Sequence, residues 1–431
     1  MRYSPIDNTL FIQNRKKYTK KLLPGALAIF NSNDIMPTNG DGTMPFKQNS
    51  DLFYLCGIDQ EETILLLFPE AKKVENREIL FIKETNEHIL TWEGYKLTLR
   101  EATEISGIKR VEWLHSFEKL LPELIKEADC VYLNANEHRR SDNPVETRDM
   151  RFAHWIKKTF PEENYHRSAP IMHHLRMTKS PIEVTQMQHA CGITEKAFRR
   201  ILPFIRPGVY EFEVEAEITH EFTINRSGGH AYDPIIASGK DACILHYTDN
   251  NKQCRDGDLV LMDFGAEYAH YCSDLTRTVP VNGRYSKRQK EVYNAVLRTM
   301  RHAQSILKAG TLPADYQKEV VKCIENELIG LGLLTKAAIA DQDPEKPLFR
   351  KYFMHGTSHS IGLDTHDVDE PGRPFEAGMV YTCEPGIYIR EEGIGVRIEN
   401  DILITETGNK DLMAGIPIEV EEVEDLMNGL T

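Results

Sequence analysis

The feature that most constrains this fold is a pair of carboxylates set into apolar strands, and the chain uses it twice. In "LVLMDFGAEYAHYCSD", residues 259–274, four apolar residues lead to Asp263, and Asp274 opens the strand-like run "DLTRTVPV" eleven positions later. An ionised carboxylate at the end of such a run is costly unless something compensates it. The same spacing returns downstream. Gly257 stands six residues before Asp263, and Gly378 six before Glu384. Gly265 and Gly386 each follow their carboxylate by two, and Glu399 opens a return strand fifteen positions after Glu384.

The helices upstream repeat as well. Ser180, Pro181 and Glu183 spell a capping box with proline at the first helical position, which predicts a helix running to Arg206-Pro207-Gly208. A second helix over 210–225 follows, then strands at "PIIASG", "LVLMDFG" and "DLTRTVPV". Ser286 and Gln289 open the next helix, 286–310, with another over 316–332 and strands at "GMVYTCEPG", "YIR" and "ENDILIT". This is an internal duplication of roughly 100 residues, two helices and an antiparallel sheet per half. A pseudo-two-fold axis would bring the four carboxylates together.

Ahead of the duplication, "GALAIFNS", "TILLLFPE", "REILFIK" and "CVYLNAN" alternate with helical stretches such as "SFEKLLPELIKEA". The expected class is α+β, with an N-terminal α/β domain over 1–175 and the duplicated domain over 176–431. No phosphate-binding loop occurs, and "GIGVRIEN" offers only a lone GxG. The cluster Arg15, Lys16, Lys17, Lys20 and Lys21 reads as a solvated helix face. Trp92, in "LTWEGYKL", is expected to pack within its own domain, the other reading being a reach to a neighbouring subunit's active-site mouth.

Net charge is −14, which argues against nucleic-acid binding through a basic face. No apolar run approaches a membrane span, and the first residues lack a secretory h-region. Eight cysteines without a CxxC pair read as reduced thiols, so the cytoplasm is the expected location.

Four clustered carboxylates would repel, and some would stay protonated at neutral pH. Two divalent cations would balance them. Oxygen ligands with one imidazole suit Mn²⁺, Co²⁺, Zn²⁺ or Fe²⁺ alike. The imidazole candidates are His355, His359 and His366 in "MHGTSHSIGLDTHDV", with His246 after "ACIL". Gly356 stands where a zinc-protease helix would need Glu, and the local residues favour a strand or turn.

"LMDFGAEYAHYCSDLTRT", "HGTSHSIGLDTHDV", "CEPGIYI" and "GVRIEND" together resemble the metallopeptidases of the pita-bread fold, family M24, and most nearly its aminopeptidase P branch. "FKQNSDLFYLCG" is similar to that branch's N-terminal domain. The resemblance implies that Asp263 chelates a first metal, that Asp274 and Glu399 bridge both metals, and that His359 and Glu384 complete the second. The metals would be Mn²⁺. His246 and His366 would contact substrate around the scissile carbonyl, and His355 would help stabilise the transition state.

A hydroxide bridging the cations would attack, with Glu384 passing the water's proton to the leaving amine. The substrates would be peptides with proline second, cut at the N-terminal Xaa-Pro bond. Proline offers no N–H, so its ring must be read by shape. Tyr232, Tyr388 and Arg397 are expected on the substrate side, with His355 beside the tyrosines. The segment between Val368 and Gly378 looks shorter than in longer family members, which loosens inferences about substrate preference. A homodimer or homotetramer is expected. The readings set against this one are a prolidase, a methionine aminopeptidase, a creatinase-like hydrolase and an inactive pita-bread binding module.

Overall fold

The computed structural model describes residues 2–142 and 144–429. The chain divides into two compact units, residues 5–176 and residues 2–4 with 177–429.

The N-terminal unit is built on a mixed six-stranded sheet. Its strands are β1 (Ala26–Asn31), β2 (Ile64–Leu67), β3 (Glu78–Ile82), β4 (Arg110–Trp113), β5 (Cys130–Leu133) and β6 (Tyr165–Arg167), in the order β4-β3-β2-β1-β5-β6. β1 and β2 are buried at every position, as strands covered on both faces must be. The helix Phe117–Glu127 turns Phe117, Leu121, Leu124 and Ile125 onto one face, and these pack with Leu27, Ile29, Leu66 and Phe81.

Two readings are corrected in this unit. Arg15 does not share the solvated face of its neighbours. The helix Thr9–Thr19 buries Leu10, Phe11, Asn14, Arg15 and Tyr18 together. Arg15 is 1 % exposed, and its guanidinium donates to the carbonyls of Leu55 and Ser106 at 2.9 Å each and to Glu78 at 3.1 Å. Lys16, Lys17, Lys20 and Lys21 are exposed. Trp92 is largely unpacked: it sits on a six-residue helix with no buried residue, is 77 % exposed, and meets the His88 ring of the same helix at 6.2 Å between centroids.

The second unit carries the duplication. In its first half, the helices Pro181–Ile201 and Glu211–Ile224 accompany the strands β7 (Gly229–His230), β8 (Ile235–Ser238), β9 (Leu259–Phe264), β10 (Ala266–Tyr268), β11 (Tyr271–Cys272) and β12 (Leu275–Pro280). In the second, the helices Lys287–Ile306 and Pro313–Gly330 accompany β13 (Val380–Cys383), β14 (Gly386–Ile389), β15 (Ile394–Arg397), β16 (Asn400–Thr405) and β17 (Gly408–Asp411). The halves form antiparallel sheets ordered β12-β9-β8 and β13-β16-β17. Both capping boxes form: the Ser180 and Ser286 side chains accept from the backbones of Glu183 and Gln289, which reach back to the cap N–H groups at 2.8 Å. The first helix ends at Ile201, five residues before Arg206. Pro203 has no N–H to continue the ladder, and the chain turns there instead.

Residues 2–4 belong to this second unit. Tyr3 packs edge-on against Tyr268 and His270, with ring centroids 6.3 and 5.9 Å away.

Candidate metal centre

The repeated carboxylates meet because each half delivers one at a strand end and one at the start of the return strand. In the first half, Thr276 pairs with Asp263, so Asp263, Asp274 and Thr276 share one face by the two-residue period of the strand. Gly265 is what lets the return strand come this close. A Cβ there would lie 1.7 Å from the Ser273 carbonyl oxygen. At Gly386, in the second half, a Cβ would instead meet the Tyr388 side chain of its own strand, 2.6 Å from the hydroxyl. The two halves meet at an antiparallel bridge, Thr276 to Glu399, with the Glu399 N–H donating to the Thr276 carbonyl at 3.1 Å.

At the centre, Asp274, His359 and Glu399 each offer a ligand atom, and these lie within 4.8 Å of one another, all from buried residues. His359 is oriented for this. Its Nδ1 lies 3.0 Å from the Ser360 carbonyl, which can only accept, so Nδ1 carries the proton. The bare Nε2 then faces Asp274 Oδ2 at 3.5 Å and Glu384 Oε1 at 3.6 Å. An imidazole nitrogen facing two carboxyl groups is an arrangement that a shared cation would satisfy. Glu384 thereby adjoins the cluster through His359. Asp263 adjoins it through Tyr232, whose hydroxyl is 2.6 Å from Asp263 Oδ1 and also contacts Asp274.

Burial, with the Asp263 charge second, holds the Asp274 carboxyl well above the usual carboxylate range. Burial raises Glu384 as well, and burial followed by the Asp274 and Glu384 charges raises Glu399 well above its ordinary value. Protonated carboxyls are therefore favoured among these three residues unless positive charge offsets the repulsion. Carboxylate oxygens with one imidazole nitrogen suit a first-row divalent cation, so the residues present fit a metal.

A chain of hydrogen bonds backs the cluster. Arg397 donates to Asp263 at 2.5 Å, to Tyr388 Oη at 2.8 Å and to Thr276 Oγ1 at 3.1 Å. Tyr388 Oη lies 2.8 Å from His355 Nε2, and His355 Nδ1 lies 2.8 Å from the Gly356 carbonyl. Nδ1 is thus the protonated nitrogen and Nε2 accepts from Tyr388. Burial first, and the Arg397 charge second, press His355 down to about 4, so it is neutral at pH 7.

Arg397 and Tyr388, expected on the substrate side, are 4 % and 0 % exposed. Their polar atoms are spent on each other, on Asp263 and on His355. Tyr232 is half-buried with its hydroxyl between two carboxylates. His366 stacks edge-on against His359 at 4.3 Å between ring centroids, and His246 is exposed, close enough to His355 for its charge to oppose protonation there.

Sequence reasoning missed three supports. Thr276 donates to Glu399 Oε2 at 2.6 Å. The fully buried Arg277 donates to the Glu399 carbonyl at 2.7 Å and to Asn400 Oδ1 at 2.8 Å. Lys179 and Asp367 form an ion pair at 3.1 Å with both side chains 1 % exposed, beneath the segment that carries His359 and His366. A signal for Thr276 was present: Asp274, Thr276 and Thr278 recur at every second position, the period of one face of a strand.

Residues 185–406 match the profile of Metallopeptidase family M24, a span of more than half the chain. The chain belongs to metallopeptidase family M24. Within the family it has the pita-bread domain together with a further matched region, since residues 11–132 match the N-terminal domain of aminopeptidase P. It is 36 % identical over 440 residues to the Xaa-Pro aminopeptidase of Escherichia coli K12, covering 98 % of each chain. Among solved structures, it superposes on the Pseudomonas aeruginosa aminopeptidase PepP with a TM-score of 0.90 at 32 % identity, covering 99 % of both chains. It superposes on zinc-substituted E. coli aminopeptidase P in complex with product with a TM-score of 0.88 at 34 % identity, covering 99 % of this chain and 100 % of that one. The protein is thus a metallo-exopeptidase of α+β architecture with a metal-binding site.

Proposed function

We propose that this enzyme removes the N-terminal residue from peptides whose second residue is proline, and that Asp263, Asp274, His359, Glu384 and Glu399 hold two divalent cations, Mn²⁺ in the cell. The observation that carries the proposal is the convergence of Asp274, His359 and Glu399 within 4.8 Å, with Glu384 and Asp263 adjoining. The full-length likeness to Xaa-Pro aminopeptidases supports the choice of reaction.

Cations in that set would polarise the scissile carbonyl and acidify an attacking water. The chain's own residues do the rest. Glu384 is the group proposed to take a proton from the water and return it to the leaving proline nitrogen. Asp263 is held in place by Arg397, whose second arm is fixed by Tyr388. His355, neutral and tied at both nitrogens, holds the outer end of that relay. His366 and His246 stand where they can contact the peptide. Tyr232 closes the side of the site nearest Asp263 and Asp274, and its ring is the surface offered to proline. Arg397 and Tyr388 act by positioning, being too buried to touch substrate.

The proposed assembly is a homodimer or homotetramer in the cytoplasm. Among the described residues, no helix is long and apolar enough to cross a membrane. Purified enzyme given Ala-Pro-Ala, Ala-Pro and Ala-Ala-Ala tests the reading. Cleavage of Ala-Pro-Ala is expected. Cleavage of the dipeptide alone would make it a prolidase, and equal turnover of Ala-Ala-Ala would refute proline selectivity.

A further inference from the structure

A cavity of about 750 Å³ is lined wholly by residues of the N-terminal unit, none of them in the metal cluster. That volume is typical of small-molecule sites. Topology explains its position. β1 and β3 run parallel to each other on either side of antiparallel β2, and β4 runs parallel to β3. Asn31 ends β1, Glu84 follows β3, and His115 follows β4, so the cavity opens at one carboxyl edge of the sheet. Open α/β sheets bind their ligands at this edge.

One wall is a face of the helix Arg148–Thr159. Arg148, Arg151, Phe152 and Trp155 fall three, four and seven residues along and all line the cavity. Two guanidinium groups and two large rings on one stripe are poor core packing. The rings extend a ladder that starts in the core: Phe81 to Phe117 at 5.3 Å, Phe117 to Phe152 at 6.1 Å, and Phe152 to Trp155 at 5.5 Å. Trp155 ends it 40 % exposed.

The polar groups are unevenly satisfied. Arg151 is held by both oxygens of Asp34 at 2.8 Å. Arg148 donates to Ser32 Oγ at 2.6 Å and has no carboxylate partner among the described residues. Asn31, beside Ser32, is 1 % exposed. Its Nδ2 donates to Asp149 at 2.9 Å, which turns its Oδ1 away from that carboxylate, and Oδ1 has no hydrogen-bond partner. A guanidinium that is bonded to Ser32, with Asp34, Glu62 and Asp149 near enough to favour its charge, therefore lines the same cavity as a buried, unmet acceptor. Glu84 and Glu118 also line the cavity, which disfavours a phosphate dianion.

We propose that this cavity binds an aromatic α-amino acid, free or at the end of a short peptide. An α-amino acid carries an anion and a donor on one carbon, matching Arg148 and Asn31 side by side, while its ring meets Phe152 and Trp155. The inference does not depend on the catalytic reading.

Saturation-transfer NMR and tryptophan fluorescence on the full-length chain test it, with L-phenylalanine and glycyl-L-phenylalanine as probes. Saturable binding of at least one probe is expected, and which one binds separates a free amino acid from a peptide source. Arg148→Met and Trp155→Ala should each weaken binding about tenfold while peptidase turnover stays unchanged. L-Phenylalaninamide, which lacks the carboxylate, should bind about tenfold more weakly than L-phenylalanine. Trp155→Ala changes a half-exposed ring, so it carries the test if Arg148→Met fails to fold. Absence of saturable binding at millimolar probe overturns the proposal. So does undiminished binding in Trp155→Ala, or an amide that binds as well as the acid.

Discussion

Replacing Lys179 by Met removes one partner of an ion pair that is almost wholly sequestered from water. Lys179 Nζ lies 3.1 Å from Asp367 Oδ2, with 1 % of each side chain exposed. At an effective dielectric of about 20, two unit charges at this separation attract by roughly 5 kcal/mol. Methionine keeps the stem volume but removes the cation that faces the buried Asp367, so a loss of roughly 3–5 kcal/mol is expected. For a unit of this size each kcal/mol is worth roughly 2–4 °C, which places the Tm at least about 6 °C lower. The Asp367 N–H also donates to the Ser360 carbonyl at 2.9 Å, so the segment carrying His359 and His366 should loosen and metal affinity should fall with stability. Denaturant and thermal unfolding of wild type, Lys179→Met, Asp367→Asn and the double variant would be compared. The double variant should recover part of the Lys179→Met loss, because it removes the orphaned charge. A single-variant loss below about 1 kcal/mol, or a double variant as unstable as the sum of the singles, would refute the reasoning.

Other expectations follow from individual residues. Burial lifts Asp149 to about 7 against 3.8 in the unfolded chain, so stability should fall by roughly 4 kcal/mol as pH rises from about 4 to 7, where the unfolded state ionises and the folded state does not. Asp149→Asn should flatten that dependence in denaturant titrations across the range, and an unchanged slope would sink the assignment. Gly265→Ala places a methyl 1.7 Å from the Ser273 carbonyl and should cost about 4 kcal/mol or abolish soluble expression, whereas Gly408→Ala meets nothing within 4 Å and should be near neutral. Thermal shift of both variants decides this, and equal Tm values would contradict it. Asp274→Asn should abolish turnover of Ala-Pro-Ala while circular dichroism stays unchanged, and a fully active variant would remove Asp274 from the site.

The carboxylates were legible because their cost is written locally. An acid after an apolar run, flanked by glycines at fixed distances, means the same thing in any context, and seeing it twice located both halves. Capping boxes were legible for the same reason: Ser180 with Glu183, and Ser286 with Gln289, act over a single turn. The end of the first long helix was also local, yet Pro203 was passed over for the stronger-looking Pro207. Arg15 was misread because a run of five cations looks solvated unless one asks which of them shares the inward face of Leu10, Phe11 and Tyr18. The relay from Asp263 through Arg397 and Tyr388 to His355 was not legible. Arg397 reaches Asp263 across 134 positions of sequence, and only the folded sheets bring them within 2.5 Å. Tyr388 and Arg397 were identified as site residues, but what they touch depends on burial that periodicity alone does not report. Trp92 shows the converse: a large apolar residue suggested packing, and the short helix that carries it offers little beyond the His88 ring.

The account rests on the buried cluster being a cation site, and calorimetric titration of Mn²⁺ into metal-stripped protein tests this most directly. About two ions per chain should bind to the wild type, with proton release as the raised carboxylates give up their protons, and binding should be lost or halved in Asp274→Asn. A wild-type chain that binds no metal at saturating Mn²⁺, or an Asp274→Asn chain that binds the same number just as tightly, would contradict it.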